Sequence, residues 1–451
     1  MKKLIALLLA CVMVLGLAAC GSKTETPSTQ DTTAATEGET ETTAATEAAP
    51  AASGSVYYLN FKPEADQAWQ DLAKLYTEKT GVEVKVVTAA SGTYGDTLTA
   101  EMAKTDAPTL FQVSNTLGLA DWDDYCMDLS GTAILDQMST TDFYMYNTDG
   151  VLKAIGYCCE TFGIITNKAL LAEAGYSVDD IKDFASLKAV ADDIHARSAE
   201  LGFDAFSSAG LDSSSSWRFS GHLANLPLFY EFRDDNVLAQ PATITGAYLD
   251  NFRNIWDLYI TDSAADPVTL PTSTGDESRA EFTEGKAVFF QNGTWEYANL
   301  IGAGMSADDL TMLPIYCGVE GEEKAGRCTG SENYWGINSK ASAEDIQATI
   351  DFLVWVVTSD EGTTMMAEQF GQVPFKNAKT PENVFTKDAI KAVNDGKYAV
   401  TWAFVHTPNV DNWRATVVTA LAAYSADQTD DNWAKVVEAF VDGWAYEYNM
   451  Q

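Results

Sequence analysis

Cysteine and histidine are the side chains best suited to bind metals, and this sequence contains seven cysteines and three histidines. No pair of them has the spacing of a zinc site, so we expect neither a metal nor another cofactor. Cys317 and Cys328 flank a turn rich in glycine and glutamate. This arrangement predicts either a disulfide or two small buried side chains.

Carboxylates are abundant, with 65 Asp and Glu residues. A glycoside hydrolase needs two carboxylates across the scissile bond, and among so many acids some pair can always be proposed. The sequence has no G-x-S-x-G nucleophile elbow, no H-E-x-x-H motif and no glycine-rich phosphate loop. The side chains that could do chemistry therefore give no specific sign of catalysis.

The N-terminus contains a motif for attaching lipid to a cysteine. Met1 is followed by two lysines, and residues 4–17 form an apolar run shorter than the roughly 20 residues that span a bilayer. The run leads into L-A-A-C-G, with the cysteine at Cys20, a sequence similar to the lipobox of bacterial lipoproteins. We expect residues 1–19 to be a signal peptide and Cys20 to carry the lipid.

The next segment differs sharply in composition. Residues 24–54 are mainly Thr, Ala, Glu, Pro, Ser and Gly, without Lys or Arg. Such a stretch cannot bury enough apolar surface to offset the entropy lost on ordering. Residues 20–54 are therefore predicted to be a lipidated cysteine followed by a disordered tether.

The rest of the chain, about 400 residues, is more than one hydrophobic core usually organises, so we expect two lobes. Its beginning alternates strands and helices, at 55–60, 64–79, 82–87, 94–104 and 109–113. This alternation predicts a parallel α/β sheet with ligands at the carboxyl ends of its strands. Further helices are predicted at 186–200, 217–229, 248–260, 343–358, 411–424 and 430–448, and further strands at 153–157, 163–166, 287–290, 311–314 and 334–337.

Several motifs occur in a fixed order along this body. F-T-E-G-K-A-V-F begins at Phe282 and leads to N-G-T-W, which ends at Trp295. E-T-F-G-I-I-T-N-K begins at Glu160, Y-W-G-I-N at Tyr334 and G-Q-V-P at Gly371. In order and spacing these segments resemble the family 1 extracellular solute-binding proteins of carbohydrate ABC importers.

The resemblance implies the type II periplasmic-binding-protein-like fold, an α/β fold of two lobes with hinge crossovers and a ligand cleft. We expect the first lobe at 55–165 plus 316–358 and the second lobe at 166–315 plus 359–451. The lobes of such a protein close around the ligand by a hinge motion.

Three tryptophans are candidates for stacking on the apolar faces of a sugar. The resemblance implies this role for Trp295, which follows a predicted strand and a glycine turn, and for Trp413 at the start of a C-terminal helix. Trp413 serves equally well in a core. Trp217 follows a serine-rich loop and faces the cleft or caps a helix.

Polar side chains near predicted strand ends are candidates for binding sugar hydroxyls, because buried polar groups must be paired. Glu160 stands where the family has a sugar-binding acid, although a surface carboxylate is an equal alternative. Arg414 either pairs with an acid or binds hydroxyls. The remaining candidates lie in loops, where turn formation explains several of them as well: Asn60, Lys62, Ser114, Asn115, Glu332 and Asn333.

The resemblance implies a monomeric binding protein, not an enzyme, that captures a sugar or oligosaccharide and delivers it to an ABC permease. The lipid on Cys20 would hold it on the extracellular face of the cell membrane, in a Gram-positive bacterium. The net charge of −37 excludes nucleic acid as a partner, since phosphate binding needs clustered Lys and Arg. The alternatives are the same fold binding a polyamine, peptide or other small solute, and a secreted carbohydrate-active enzyme.

Overall fold

The computed structural model describes residues 54–237 and 239–451. The predicted signal peptide, Cys20 and almost all of the tether lie outside the described residues. Within the described part of the chain, no helix is both long enough and apolar enough to cross a membrane.

The strands of the described chain form two mixed sheets. In chain order they are β1 (Ser55–Asn60), β2 (Glu83–Thr88), β3 (Leu110–Val113), β4 (Tyr144–Tyr146), β5 (Leu152–Gly156), β6 (Glu160–Asn167), β7 (Asp204–Phe206), β8 (Ala287–Gly293), β9 (Leu310–Leu313), β10 (Ala325–Gly330), β11 (Tyr334–Ile337) and β12 (Tyr398–Thr401). The first sheet has the order β2-β1-β3-β11-β5-β4. The second has the order β12-β10-β6-β8-β7, and β9 also pairs with β6.

Helices cover both sheets. They are α1 (Asp66–Thr80), α2 (Tyr94–Met102), α3 (Thr116–Trp122), α4 (Lys168–Glu173), α5 (Phe184–Ala196), α6 (Ser198–Leu201), α7 (Asn225–Asp235), α8 (Leu249–Thr261), α9 (Gly275–Thr283), α10 (Tyr297–Gly302), α11 (Ala343–Thr358), α12 (Asp360–Phe370), α13 (Val384–Asn394), α14 (Val410–Ala426) and α15 (Asp430–Asn449).

The β1-α1-β2 unit follows directly from its sequence pattern. Apolar residues recur at helical spacing in α1, and Trp69 and Tyr76 are among those buried against the sheet. The ring of Trp69 packs edge-on against Tyr58 of β1 at 5.0 Å. α1 ends at Gly81, whose φ of 78° lies in the left-handed region that glycine adopts readily. The chain then returns as β2, parallel to β1, as predicted.

The chain passes between the two sheets at three places. Residues 157–159 join β5 to β6, and residues 331–333 join β10 to β11. α12 packs in the core of the first sheet, whereas α13 contacts the second, so a third crossing follows α12. These crossings differ from the lobe boundaries expected after 165, 315 and 358, because β6 and β10 pair with the second sheet.

Two local predictions differ from the structure. Cys317 and Cys328 are both buried and free, so they form no disulfide, and the alternative of small buried side chains fits. The helix predicted at 217–229 is a π-helix at Arg218–Leu223 followed by α7. Pro227 lies in the first turn of α7, where its missing N–H is tolerated.

Candidate functional site

A buried ion-pair network lies where the first two crossings meet. Lys62 follows β1, and its Nζ lies 2.5 Å from Oε1 of Glu160 and 3.0 Å from Oε1 of Glu64. The second oxygen of Glu160 accepts a hydrogen bond of 2.6 Å from Nδ2 of Asn333. Glu160 begins β6 and Asn333 precedes β11. Three predicted site residues thus connect both crossing segments.

This network keeps Lys62 charged although the side chain is buried. Burial alone would lower the pKa of Lys62, but Glu160 and Glu64 outweigh it and raise that pKa above its ordinary value. Both carboxylate oxygens of Glu160 are already occupied, one by Lys62 and one by Asn333. Glu160 therefore positions the site more than it offers a free acid to a ligand.

Asn60 and Asn333 shape the loops of this network. Nδ2 of Asn60 donates to the Lys62 carbonyl at 2.8 Å, and its Oδ1 accepts from the Lys62 N–H at 3.1 Å. The Tyr157 hydroxyl donates to Oε1 of Gln112 at 2.7 Å and to Oδ1 of Asn333 at 3.4 Å. The predicted residue Asn60 therefore holds Lys62 in place.

An aromatic cluster lies beside Lys62, whose Nζ is 5.4 Å from the centroid of the Trp295 ring. His222 is at its centre, stacked on Phe162 at 4.2 Å and 5.2 Å from the Trp295 ring. We define the aromatic cluster as Phe162, Trp217, His222, Trp295, Trp402 and Phe404. It brings together two of the three predicted tryptophans, Trp295 and Trp217, whose rings are 5.8 Å apart.

Glycines make room for the large side chains of the cluster. Gly293 ends β8, and a β-carbon there would lie 2.2 Å from the Trp295 ring. A β-carbon on Gly330, at the end of β10, would lie 2.4 Å from Trp402. In the pairing of β6 with β8, Phe162 lies opposite Gly293. The Trp295 ring packs over Gly293 and so lies beside His222, which stacks on Phe162.

The π-helix at Arg218–Leu223 sets the position of His222. Its wider turn brings residues five apart close together, and the rings of Trp217 and His222 meet edge-on at 5.0 Å. Burial and the cations Arg414, Lys62 and Arg218 hold the pKa of His222 well below its ordinary value. His222 is therefore neutral near pH 7.

Several buried polar atoms of the cluster, and of Arg414 and Gln291 on the second-sheet side, have no hydrogen-bond partner among the described residues. They are Nδ1 of His222, Nε1 of Trp295 and Trp402, Nε of Arg414 and both amide atoms of Gln291. Gln291 lies opposite Ile164, so it shares the sheet face of Phe162 and Gly293. An unpaired buried polar group is destabilising by about 1–3 kcal/mol, and native proteins have few of them. Six such atoms lie elsewhere among the described residues, so it is the grouping of unpaired atoms near the cations Lys62 and Arg414 that makes this region a candidate site for a polar ligand.

Arg414 and Glu332 are two further charged residues near the cluster. The Arg414 guanidinium lies 5.5 Å from the Phe404 centroid, and a β-carbon on Gly221 would lie 2.8 Å from it. Burial raises the pKa of the Glu332 carboxyl, while Arg414 opposes that rise. Glu332 is partly buried, and its backbone carbonyl accepts from Gln112 at 2.9 Å. Both predicted residues thus lie at the site.

Ser114 and Asn115 follow β3, and Asn115 has a structural role. Its Oδ1 accepts from two backbone N–H groups at the start of α3, and its Nδ2 donates to the Val405 carbonyl at 3.1 Å. Val405 follows β12 of the second sheet, so Asn115 links the two sides of the molecule. Ser114 is partly buried beside it.

Trp413 lies in the core and away from the aromatic cluster, which corrects its predicted stacking role. Its side chain is 1% exposed and its indole N–H donates to the Phe440 carbonyl at 3.0 Å. Its ring packs edge-on against Phe440 of α15 at 4.7 Å. The helical turn of α14 directs Trp413 inwards and the next residue, Arg414, towards the cluster.

Five residues of the site were not predicted: Phe162, His222, Gln291, Trp402 and Phe404. Phe162 and Gln291 lie in buried strands, where their sequence pattern is that of core residues. The contact between Trp217 and His222 depends on a π-helix, which the spacing of apolar residues did not reveal. The sequence has eleven tryptophans, and no motif distinguished Trp402 from the others.

Two open surface cavities lie elsewhere. One, of about 300 Å³, is lined by residues including Asn167, Thr283 and Met305. The other, of about 500 Å³, is lined by residues including Arg233, Tyr248 and Val319. Neither includes a residue of the aromatic cluster. The unpaired polar atoms and converging charges make the cluster the stronger candidate.

Comparison with known proteins identifies the family. Residues 71–393 match the family of bacterial extracellular solute-binding proteins. The chain belongs to this family. Members are binding proteins of transporters, so this solute-binding protein is not an enzyme, and the alternative of a secreted carbohydrate-active enzyme is excluded.

Individual relatives agree with this assignment. The solute-binding protein is 24% identical over 339 residues to the maltotriose-binding protein of Pyrococcus abyssi, covering 73% of this chain and 68% of that one. RafE of Streptococcus pneumoniae in complex with raffinose has a TM-score of 0.69 at 15% identity, over 87% of this chain and 99% of that one. The GacH receptor of Streptomyces glaucescens has a TM-score of 0.65 at 18% identity, over 88% and 99%.

The structural likeness confirms the predicted two-lobed fold. Both neighbours are matched over almost their full length, at identities that establish the fold alone. Among the residues that the structure describes, no group of three or more His, Cys, Asp and Glu is arranged to hold a metal ion.

Proposed function

We propose that this solute-binding protein captures a carbohydrate at the aromatic cluster and delivers it to the permease of an ABC importer. The observation that carries the proposal is the convergence of aromatic rings with unpaired buried polar atoms at the crossings between the sheets. Sugars offer apolar C–H faces to rings and hydroxyls to polar groups. The names of the relatives, which bind maltotriose and raffinose, support the same ligand class.

The geometry favours a carbohydrate over a polyamine. A polyamine requires several free carboxylates around its ammonium groups, and of the acids near the cluster Glu160 is already paired with Lys62 and Asn333, which leaves Glu332. The cation Lys62 itself lies over Trp295 at 5.4 Å, where it would repel a second ammonium group. Peptides and other small solutes remain outcomes of the binding test.

We further propose that the protein works as a monomer anchored outside the cell by a lipid on Cys20, most simply in a Gram-positive bacterium. The family is extracellular, which agrees with this location. The L-A-A-C-G motif and the tether supply the anchor. Replacing Cys20 by Ser should release the protein from the membrane fraction into the medium, whereas retention in the membrane would contradict the anchor.

A thermal-shift screen tests the ligand class. The purified protein is heated with a panel of mono- and oligosaccharides, polyamines and short peptides. A ligand that binds only the folded state raises the melting temperature by an amount that increases with the logarithm of its concentration relative to its Kd. A rise with at least one saccharide supports the proposal. A rise with polyamines or peptides alone would overturn the carbohydrate function and leave the family unchanged.

A further inference from the structure

The unpartnered polar groups around the aromatic cluster lie on one side of it. His222, Gln291, Trp295, Trp402 and Arg414 all belong to elements associated with the second sheet. The carboxylates of Glu64 and Glu332 belong to loops beside strands of the first sheet. Lys62 after β1 and Glu160 at the start of β6 are a further cation and carboxylate, and they neutralise each other as an ion pair between the two sides.

Most unpartnered atoms on the second-sheet side can only donate hydrogen bonds. These donors are Nε1 of Trp295, Nε1 of Trp402, Nε2 of Gln291 and Nε of Arg414. Oε1 of Gln291 only accepts, and Nδ1 of His222 does either, depending on its tautomer. A ligand group that complements this side therefore offers mainly acceptors.

Two cations on this side, Arg218 and Arg414, form no direct ion pair with a carboxylate of the described residues, although Glu296 and Glu281 lie near enough to Arg218 to raise its pKa. Arg218 is 1% exposed and donates only to neutral oxygens, including Oγ of Ser215 at 2.7 Å and of Ser278 at 2.9 Å. Burial lowers the pKa of Arg218 to about 10, so it remains charged near neutral pH. Arg414 forms no ion pair within 4 Å with any described acid, and its Nε is unpartnered. Buried charges normally have a counter-ion, and a guanidinium fits a carboxylate especially well.

Glu332 does not supply this counter-ion. It influences Arg414 electrostatically, but the two form no ion pair in the structure. Burial raises the pKa of Glu332, which favours its neutral form relative to an exposed glutamate. The guanidinium of Arg414 therefore has no carboxylate partner at ion-pair distance in the described structure.

We propose that the carbohydrate bound here carries a carboxylate, as in a uronic-acid sugar, and that Arg414 with the indole N–H groups of Trp295 and Trp402 holds that carboxylate. An ionised carboxylate offers only acceptors, whereas sugar hydroxyls both donate and accept. The inference rests on the proposed carbohydrate function and narrows its ligand class.

Isothermal titration calorimetry tests the inference. Galacturonate, glucuronate and their short oligomers are compared with galactose, glucose and the matching neutral oligomers at pH 7. We expect a uronate to bind at least about tenfold more tightly than its neutral counterpart. This is the gain in affinity expected from one charge-assisted hydrogen bond between Arg414 and the carboxylate. The preference should decrease as salt is added.

Variants of Arg414 distinguish an effect of its charge on binding from an effect on folding. Arg414→Gln should weaken uronate binding about a hundredfold and neutral-sugar binding by about tenfold or less, and uronate binding by Arg414→Lys should lie between the wild type and Arg414→Gln. Arg197→Gln is the matched control, because Arg197 pairs with Asp193 outside the cluster. Unchanged melting temperatures verify that the variants fold.

Two results would overturn the inference while keeping the carbohydrate function. One is neutral sugar binding as tightly as uronate, and the other is an equal loss of both ligands in Arg414→Gln. Failure to bind any saccharide would contradict the proposed function itself, and the inference with it.

Discussion

His222 lies flat against Phe162, with ring centroids 4.2 Å apart and planes inclined by 10°. Phe162 belongs to β6, just after the first crossing, and pairs opposite Gly293 at the end of β8. The stack therefore fixes the imidazole beside Trp295, with Nδ1 unpartnered. His222 is the central polar group of the site, although its residue type and spacing gave no indication of this.

Replacing the imidazole of His222 by an aromatic ring without nitrogen should weaken ligand binding. His222→Phe retains the stack on Phe162 but loses the hydrogen bond that Nδ1 makes with the ligand. We expect about a tenfold loss of affinity by calorimetry, equal to one hydrogen bond. His195→Phe is the control, since Nδ1 of His195 lies 2.9 Å from Asp204 outside the cluster. Unaltered affinity in His222→Phe would show that Nδ1 does not contact the ligand.

His222 should also make stability depend on pH. Its folded pKa is depressed, so below the unfolded pKa of about 6.5 the unfolded state binds a proton that the folded state does not. Stability is therefore lost as pH falls below about 6.5, by up to about 1.4 kcal/mol per pH unit. Urea denaturation of the wild type and His222→Phe from pH 7.5 to 4.5 isolates this contribution. Parallel curves would contradict a neutral, buried His222.

At Gly92, the loop after β2 comes close to the loop before the π-helix. Gly92 has a φ of 75°, and a β-carbon there would lie 2.7 Å from the Ser213 carbonyl oxygen. Gly92→Ala should therefore hinder approach of the two sides and weaken ligand binding about tenfold. Gly131→Ala is the matched control, with the same φ of 75° and no atom within 4 Å of its β-carbon. Equal affinities in the two variants would show that this contact does not take part in closure.

The Lys62 to Glu160 pair should contribute strongly to stability because both side chains are buried. Glu160→Gln leaves Lys62 with Glu64 alone, and we expect a loss of about 2–3 kcal/mol in the free energy of unfolding. Glu361→Gln breaks an exposed pair with Lys79, and the expected loss is about 0.5 kcal/mol or less. Urea denaturation measures the free energy of unfolding of the two variants and distinguishes these losses. Similar losses in both variants would place Glu160 among ordinary surface carboxylates.

The first sheet was the most predictable part of the fold. Its β1-α1-β2 unit combines buried strands with apolar residues at helical spacing, so each element can be predicted from its own stretch of sequence. β10 and β12 were not predicted, since Ala325–Gly330 and Tyr398–Thr401 are short and their pairing joins distant parts of the chain. The crossings were misplaced for the same reason, because sheet membership depends on long-range pairing.

The site was predictable where a local motif determines the geometry. Trp295 follows a strand and a glycine turn, Lys62 follows the first strand, and the structure places the two side by side. Their contact with a ligand stays a prediction. Trp413 was misjudged because its sequence does not reveal which face of α14 meets α15. Trp402 was missed because its position depends on Gly330, which is distant in sequence.

Calorimetric titration of Trp295→Ala tests the central claim most directly. The ligand is the saccharide that raises the melting temperature most, and the control is Trp355→Ala, a partly buried tryptophan of α11 that contacts Tyr76. If the aromatic cluster is the carbohydrate site, Trp295→Ala should bind at least about tenfold more weakly, as loss of a stacking ring implies, while the control binds like the wild type. Wild-type affinity in Trp295→Ala would contradict the account and move the binding site elsewhere in the molecule.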